Sequence, residues 1–446
     1  MTGKREFRRI TQLKVEIDFG GGGRPVGRLA WRDRVVYFEY DPGFLSSRLE
    51  ISPFRLKLFP GLVEGPTGVF ERLPGVFNDS LPDGWGRLLM DRKLRDVGIQ
   101  PGQLTPLDRL AWVGSHGMGA LVYKPEHHAL AAADGGAIDL DRLAEESQRV
   151  LDDSPKAVLD ELLRVGGPPH GARPKALVGL SSDHAGLIHG VDALPEAHEH
   201  WIVKFRAVGD PLDIGAIEHA YAEMAKTAEV DMPPTILFPA TKGPGYFGIK
   251  RFDLLGNRRV HMHTASGLLN VDHTLPSMGY ATLLKLTRSL TRDQAAVEQM
   301  FTRMAFNVFA HNRDDHTKNH SFLMSETGVW SVSPAYDVTF SAGPGGEHAL
   351  DIGGEGRRPG MANILDVADE VGVPRGRAEE IVDRVRAAVD RWPEFAAFTG
   401  VSNAMTTEID KQLNGARKLA RTPRPAPAPE AVLKTAAKPS VGRQPK

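Results

Sequence analysis

Apolar and polar positions alternate near the start of the chain. The segments QLKVEIDF (12–19) and RVVYFEY (34–40) follow the period of two that marks half-buried strands. GGGGRP (20–25) supplies a turn signal between them, so residues 12 to 40 are read as β structure. The period then lengthens. Asp83 to Asp96 fits a capped helix with Leu88, Leu89, Met90 and Leu94 on one side. RLAWVGSHGMGALVY (109–123) reads as a helix end, a glycine-rich turn and a short strand. Two more helical patterns, DLDRLAEESQRVL (139–151) and SPKAVLDELLRV (154–165), end at Gly166–Gly167, where we place a domain boundary.

Beyond that boundary a glycine–proline loop, GGPPHGARPK (166–175), leads into a strand. HWIVKF (200–205) is a second strand, IEHAYAEMAKTAEV (217–230) an amphipathic helix and GYFGIKRFD (245–253) another strand. This order predicts an α+β lobe on an antiparallel sheet. From about residue 280 the spacing is helical, clearest in LTRDQAAVEQMFTRMAFNVFA (290–310). SFLM and VWSVSPAYDV, joined by SETG, read as a β-hairpin. A further helix over 375–392 is expected to stop at Pro393. Residues 421–446 carry six basic residues and one acidic one among Pro and Ala, a composition expected to be disordered.

Composition narrows the chemistry. A chain of 446 residues suggests two or three domains. It has no cysteine, which excludes disulfides, Cys-ligated zinc, iron–sulfur clusters and a thiol nucleophile. A net charge of −1 gives no reason to expect broad nucleic-acid binding. MTGKREFRRITQ has no apolar core of a secretory signal, and no run of 18 apolar residues exists, so a cytoplasmic chain without a membrane span is expected.

The densest chemistry lies in AHNRDDHTKNHSFLM (310–324). Arg313–Asp314, four residues, then Asn319 is the R-D-x-x-x-x-N core of the protein-kinase catalytic loop. There the aspartate meets the proton of the attacking hydroxyl. The asparagine turns a carbonyl oxygen to magnesium, a hard cation that takes oxygen ligands. Asp337 lies 18 residues beyond Asn319 across the expected hairpin, so the two could share an ion. A kinase also needs a strand lysine for the phosphates and a helix glutamate to pair it. Lys204 and Glu218 stand in that order, after a glycine loop that lacks the Lys–Ser/Thr of a Walker A motif. Two readings compete: a polar structural turn, and a transition-metal site of His311, His316 and His320 with Asp314 or Asp315. Against the latter, no HExxH is present and Lys318 would repel a cation.

On these residues the sequence resembles the HipA-like serine/threonine kinases, toxins of bacterial type II toxin–antitoxin modules. AHNRDDHTKNHSFLM is similar to that family's N-x-D-x-H-x-K-N-x-S catalytic loop and SPAYDV to its P-x-Y-D metal motif. GARPKALV, WIVKF and GYFGIKRFD resemble its glycine-loop strand, lysine strand and hinge. FNDSLPDGWGR and VGSHGMGALVY resemble elements of its N-terminal domain, so the likeness runs from about residue 12 to 395. It implies an α+β, protein-kinase-like two-lobed domain, an antiparallel sheet lobe plus a helical lobe, with a small N-terminal β-rich subdomain. The expected division is 1–125 for the N-terminal subdomain, 126–165 for a helical connection, 166–280 for the nucleotide-binding lobe, 281–420 for the catalytic lobe and 421–446 for the tail. Asp314 would be the catalytic base, and Asn319 and Asp337 would hold Mg²⁺. Lys204 would contact the phosphates of ATP, and the backbone of Lys250 and Phe252 would face adenine. Gly171, Lys175, Glu218 and His316 complete the expected nucleotide site. The implied partners are a protein substrate, such as a translation component, and a small helix-turn-helix antitoxin. DNA would be contacted only through that antitoxin, and no membrane.

Three departures qualify the likeness. The glycine loop has no Ser or Thr, with His170 roughly where some relatives phosphorylate themselves. Lys250 replaces the usual hinge glutamate, and Asp315 replaces a glycine, which is expected to add negative charge beside the metal site. These changes leave open a degenerate kinase that works by binding nucleotide or antitoxin. A small-molecule phosphotransferase on the same fold also stays open, although it has no need of the N-terminal β domain.

Overall fold

The computed structural model describes residues 9–96, 98–126, 138–153, 162–163, 171–184, 186–190, 194–275 and 278–419. The helical pattern over 154–165, apart from Leu162–Leu163, lies outside the described residues, as do 166–170 with His170 and the 421–446 tail.

Alternation builds the first sheet. β1 (Gln12–Ile17), β2 (Arg24–Arg32), β3 (Val35–Tyr40), β4 (Leu62–Glu64) and β5 (Leu121–Lys124) form an antiparallel sheet in the order β4-β3-β2-β1-β5. Leu13, Val15, Ile17, Leu29, Val36 and Phe38 point to one core with Phe77 and Tyr123. The β1–β2 turn is glycine-dependent. Asp18 accepts from the N–H groups of Gly20 and Gly22, both near φ +100° (+102° and +104°), where a side chain is disfavoured. Between β4 and β5, the Gly84–Asp96 helix buries Leu89, Met90 and Leu94, with Leu88 partly buried.

A second antiparallel sheet comprises β6 (Lys175–Ser181), β7 (Leu187–His189), β8 (His198–Lys204), β9 (Thr235–Phe238) and β10 (Tyr246–Lys250), in the order β7-β6-β8-β10-β9. The Ile214–Thr227 helix packs on it through Ala222 against Phe247 and Ile249, and buries Ile217, Tyr221 and Met224 in the large helical core. A small hairpin, β11 (Leu254–Leu255) and β12 (Arg258–Arg259), follows.

The helical lobe is organised on Gln294–Phe309, buried almost throughout its second half. Tyr280–Thr291 and Arg375–Asp390 pack on it, and Met361–Val371 packs on those two helices. Pro393 does not end the helical region: it occupies the first turn of a new helix, Trp392–Thr399, where a missing N–H costs nothing. A three-stranded sheet, β13 (His261–Thr264), β14 (Ser321–Met324) and β15 (Trp330–Val332), joins the parts. The expected hairpin is β14–β15.

Two buried joints attach the first sheet's domain to the rest. Asp79 accepts from His263 Nδ1 (2.6 Å), Thr264 N (2.7 Å) and Thr264 Oγ1 (2.8 Å). Asp253 is held by Arg251 (2.7 Å) and accepts from Gly119 N (2.8 Å), while Arg259 donates to the carbonyls of Gly117 and Gly119 (both 2.7 Å). The GSHGMG turn is thereby fastened to the hinge segment. Among the described residues, no helix is long and apolar enough to cross a membrane.

Candidate active site

The loop that leaves Gln294–Phe309 turns sharply. His311 adopts φ +53°, and Arg313 N donates to Ser341 O, which lays the loop along the segment beyond Asp337. The two adjacent aspartates then part. Asp314 faces a cavity of about 520 Å³. Asp315 turns into the protein, where it is 1% exposed. There it accepts from Tyr280 OH (2.8 Å), His348 Nδ1 (2.9 Å) and Ala349 N (2.8 Å). Burial opposes its ionisation, but His348 and Tyr280 outweigh that and hold it below the usual carboxylate range. Asp315 therefore keeps its charge, which adds to the rise of the Asp314 carboxyl, while its side chain is turned away from the cleft. It is the anchor of the loop.

Asn319 ends the short 3₁₀ turn Thr317–Asn319. Its Nδ2 donates to Asp314 O (2.7 Å), which leaves its carbonyl oxygen for another partner. The β14–β15 hairpin returns the chain so that Asn319 and Asp337 line the same cavity. Tyr336 OH donates to Lys318 O (2.6 Å) and pins the return. Asp337 has φ +51°, a backbone state that aspartate tolerates better than most residues and that recurs at functional sites.

Lys204 stands at the end of β8. Its Nζ donates to Glu218 Oε1 (3.2 Å) and to Asp337 Oδ1. Glu218 is 3% exposed and also meets Arg173 Nη1 at 3.4 Å. Arg173 in turn holds Asp210 through Nε (2.9 Å) and Nη2 (3.1 Å). Across the sheet, Lys175 is the register partner of Lys204, so two lysines lie opposite each other. Like charges in that position repel. Burial, together with Lys204, pushes Lys175 down to about 8, with Asp337 opposing. Asp337 shows the reciprocal effect: burial works against its charge, but Lys204 and Lys175 hold it far below the ordinary carboxylate value. Asp314 moves the other way. Desolvation in the cleft raises it, with Asp337 and Asp315 adding to the rise and His316 opposing.

A largely apolar pocket of about 60 Å³ adjoins this cluster, lined by Ile202, Ile249, Met262, Phe252 and Tyr336 together with Lys175, Lys204 and Asp337. Lys250 also lines it, but its N–H already donates to Pro234 O (3.0 Å) and its Nζ to Glu199 (2.6 Å). Of the backbone groups expected to face a base, the Lys250 N–H is thus committed elsewhere.

The loop's histidines have three separate surroundings. His316 lines the cleft, 3.8 Å from Asp314 and against the ring of His273. His311 stacks on Phe340, and burial pushes it down to about 4. His320 packs against Tyr280, and burial pushes it to about 3. Among the described residues, no group of three or more His, Asp and Glu side chains is placed to hold a metal ion. The pair of oxygens from Asn319 and Asp337 suits magnesium instead, which takes one or two protein ligands and completes its shell with phosphates and water.

Arg173, Asp210 and Asp83 are residues that sequence reasoning did not assign to the site. Asp83 reaches the cleft from the first sheet's domain: Oδ1 accepts from Gly171 N (2.6 Å) and Oδ2 from Lys318 Nζ (2.9 Å). Its only signal was its place in the FNDSLPDGWGR element.

The chain as a whole is similar to known proteins. Residues 168–392 match the model of the HipA-like C-terminal domain, and residues 20–124 match that of the HipA N-terminal domain. No curated protein matches the chain. Among solved structures, HipA of Shewanella oneidensis MR-1, in complex with HipB and operator DNA, superposes with a TM-score of 0.65 at 18% identity. That match covers 91% of this chain and 97% of the other. The Helicobacter pylori proinflammatory kinase CtkA matches at a TM-score of 0.30 and 13% identity, over 48% of this chain and 92% of its own. The fold is thus the α+β, kinase-like two-lobed arrangement with an N-terminal β-rich subdomain that the sequence led us to expect.

Proposed function

The chain belongs to the HipA-like family, and from that premise we propose that it is an ATP- and Mg²⁺-dependent protein serine/threonine kinase acting as the toxin of a type II toxin–antitoxin module. The observation that carries the reading is the convergence of Lys204, Glu218, Asp337, Asn319 and Asp314 on one cleft. Lys204 would exchange Asp337 for phosphate oxygens, with Glu218 keeping it in place. Asp337 and Asn319 would hold Mg²⁺, whose charge neutralises that building on the transferring phosphoryl group. The substrate hydroxyl attacks the γ-phosphorus, the bond to the β–γ bridging oxygen breaks, and Asp314 takes the hydroxyl proton. The protein substrate, expected to be a translation component, and a helix-turn-helix antitoxin that carries the complex to DNA belong to the same proposal. The antitoxin and DNA part is motivated by the Shewanella protein, seen with HipB and operator DNA.

The test is transfer of labelled γ-phosphate from ATP to protein. Asp314→Asn should lower the rate on the order of 100-fold, and a variant with wild-type transfer would overturn the assignment. The pH profile carries a second signature. Asp314 must be ionised to take a proton, and its carboxyl is raised. The rate should therefore fall, as pH drops, above the ordinary carboxylate range.

Lys175 supplies another expectation. With a value of about 8, its amine is mostly neutral somewhat above that pH in the free protein. Phosphates arriving beside it favour the charged form. Binding of ATP at a pH above that value should take up a fraction of a proton, measured by calorimetry in two buffers of different ionisation enthalpy. Lys175→Met should remove the uptake, and unchanged uptake would clear Lys175 of the role.

A further inference from the structure

We propose that Asp83, a residue of the N-terminal domain, is a positioning residue of the phosphoryl-transfer centre that ties the catalytic loop to the end of the glycine loop; the inference rests on the kinase reading above. The geometry is a bridge between segments far apart in sequence. One oxygen of Asp83 accepts from Gly171 N at 2.6 Å and the other from Lys318 Nζ at 2.9 Å. The backbone repeats the first link, since Trp85 N donates to Gly171 O at 3.1 Å.

Two features show that the approach is built in. Gly84 adopts φ +42°, and a Cβ there would stand 2.5 Å from Gly171 O and 2.6 Å from the Ala172 Cα, so only glycine lets the strands of chain meet. Lys318 is 7% exposed, and among the described residues Asp83 is the carboxylate within ion-pair distance of it. A lysine so enclosed needs a counter-charge. Lys318 lines the same cavity as Asp314 and immediately precedes Asn319, and its carbonyl takes the Tyr336 hydroxyl one residue before Asp337. Holding Lys318 therefore holds the spacing between the expected base and the expected metal ligands. Small displacements of such groups weaken catalysis strongly. In this role Asp83 acts through Lys318 and Gly171.

The two links separate by substitution. Asp83→Asn keeps an acceptor for Gly171 N–H and removes the charge that holds Lys318. Asp83→Ala removes both. For Asp83→Asn we expect kcat to fall about tenfold to 100-fold, with KM for ATP within about twofold of wild type. Asp83→Ala should add a rise in KM for ATP of about tenfold, from loss of the glycine-loop anchor. Lys318→Met should lower kcat as far as Asp83→Asn, and the double variant no further. A double variant that loses the product of the two single effects, or an Asp83→Asn protein with wild-type kcat, overturns the proposal. Hydrogen exchange gives a readout that needs no turnover. In the full-length protein without ligand, peptides spanning 171–175 and 313–319 should exchange faster in Asp83→Ala than in wild type, and by a larger factor than peptides of the first sheet and of the Gln294–Phe309 helix. If wild type transfers no phosphate, the kinase reading fails, yet exchange still decides whether Asp83 ties the two loops. Unaltered exchange in both peptides rejects the tie.

Discussion

Asp337→Asn should lower phosphoryl transfer on the order of 1,000-fold while the chain stays folded. The size follows from what one carboxylate does here. It is the anion shared by two lysines that the β6–β8 register sets opposite each other. It also stands with Asn319 as an oxygen ligand for magnesium. Asparagine keeps the shape and one oxygen but removes the charge. Lys204 then retains only Glu218 among these partners, and Lys175 loses the charge that supports its protonated form, so it titrates below its value of about 8. Single-turnover transfer and Mg²⁺-dependent ATP binding are the measurements. Lys204→Met should also be severe, and adding it to Asp337→Asn should cost much less than in wild type, because the pair acts as a unit. Transfer within tenfold of wild type in Asp337→Asn would remove Asp337 from the metal site.

How much of this was legible along the chain depended on distance in sequence. Strand alternation at 12–17 and 35–40 is a local property, and the strands form there. Asp314, Asn319 and Asp337 are spaced by a loop and one hairpin, so their convergence follows from short-range geometry. Asp83 and Lys318 are 235 positions apart, and Asp79 and His263 are 184 apart. No spacing rule reaches across such a gap. The Arg173–Asp210 pair escaped notice for a different reason: an arginine beside a glycine loop looks like surface. The charge of Asp315 is legible in the sequence and acts on Asp314, but its direction is not, because neighbouring side chains leave a loop in directions set by its backbone. Only the turn at His311 and the presence of Tyr280 and His348 behind the loop decide that Asp315 goes inward. The Lys250 N–H shows the same limit: being on the hinge does not tell which neighbour strand's carbonyl takes its proton.

Asp79→Ala should strongly destabilise the fold. The carboxylate is 7% exposed and sits between the N-terminal domain and β13. Its removal leaves His263 Nδ1, Thr264 N and Thr264 Oγ1 without this acceptor, on residues that are 0–1% exposed. Breaking a buried charged network by deleting one member costs about 3–5 kcal/mol, a large part of the roughly 5–15 kcal/mol that holds a domain together. Nothing can refill the space cheaply, because Gly267 packs its Cα against the same carboxylate and has no side chain to offer. The effect should carry a pH signature. Burial disfavours the charged form of Asp79, but His263, Thr264 and Lys318 outweigh it and lower the carboxyl below its ordinary value. A lowered acid contributes stability that is present above the unfolded-state value, near 4, and lost as pH falls through the folded one. Wild type should therefore lose stability on acidification below about pH 4 more steeply than Asp79→Ala. Urea midpoints of the full chain across that pH range provide the test. A loss under about 1 kcal/mol at neutral pH, or parallel acid limbs, would mean that the joint between the N-terminal domain and the catalytic sheet is held by packing rather than by Asp79.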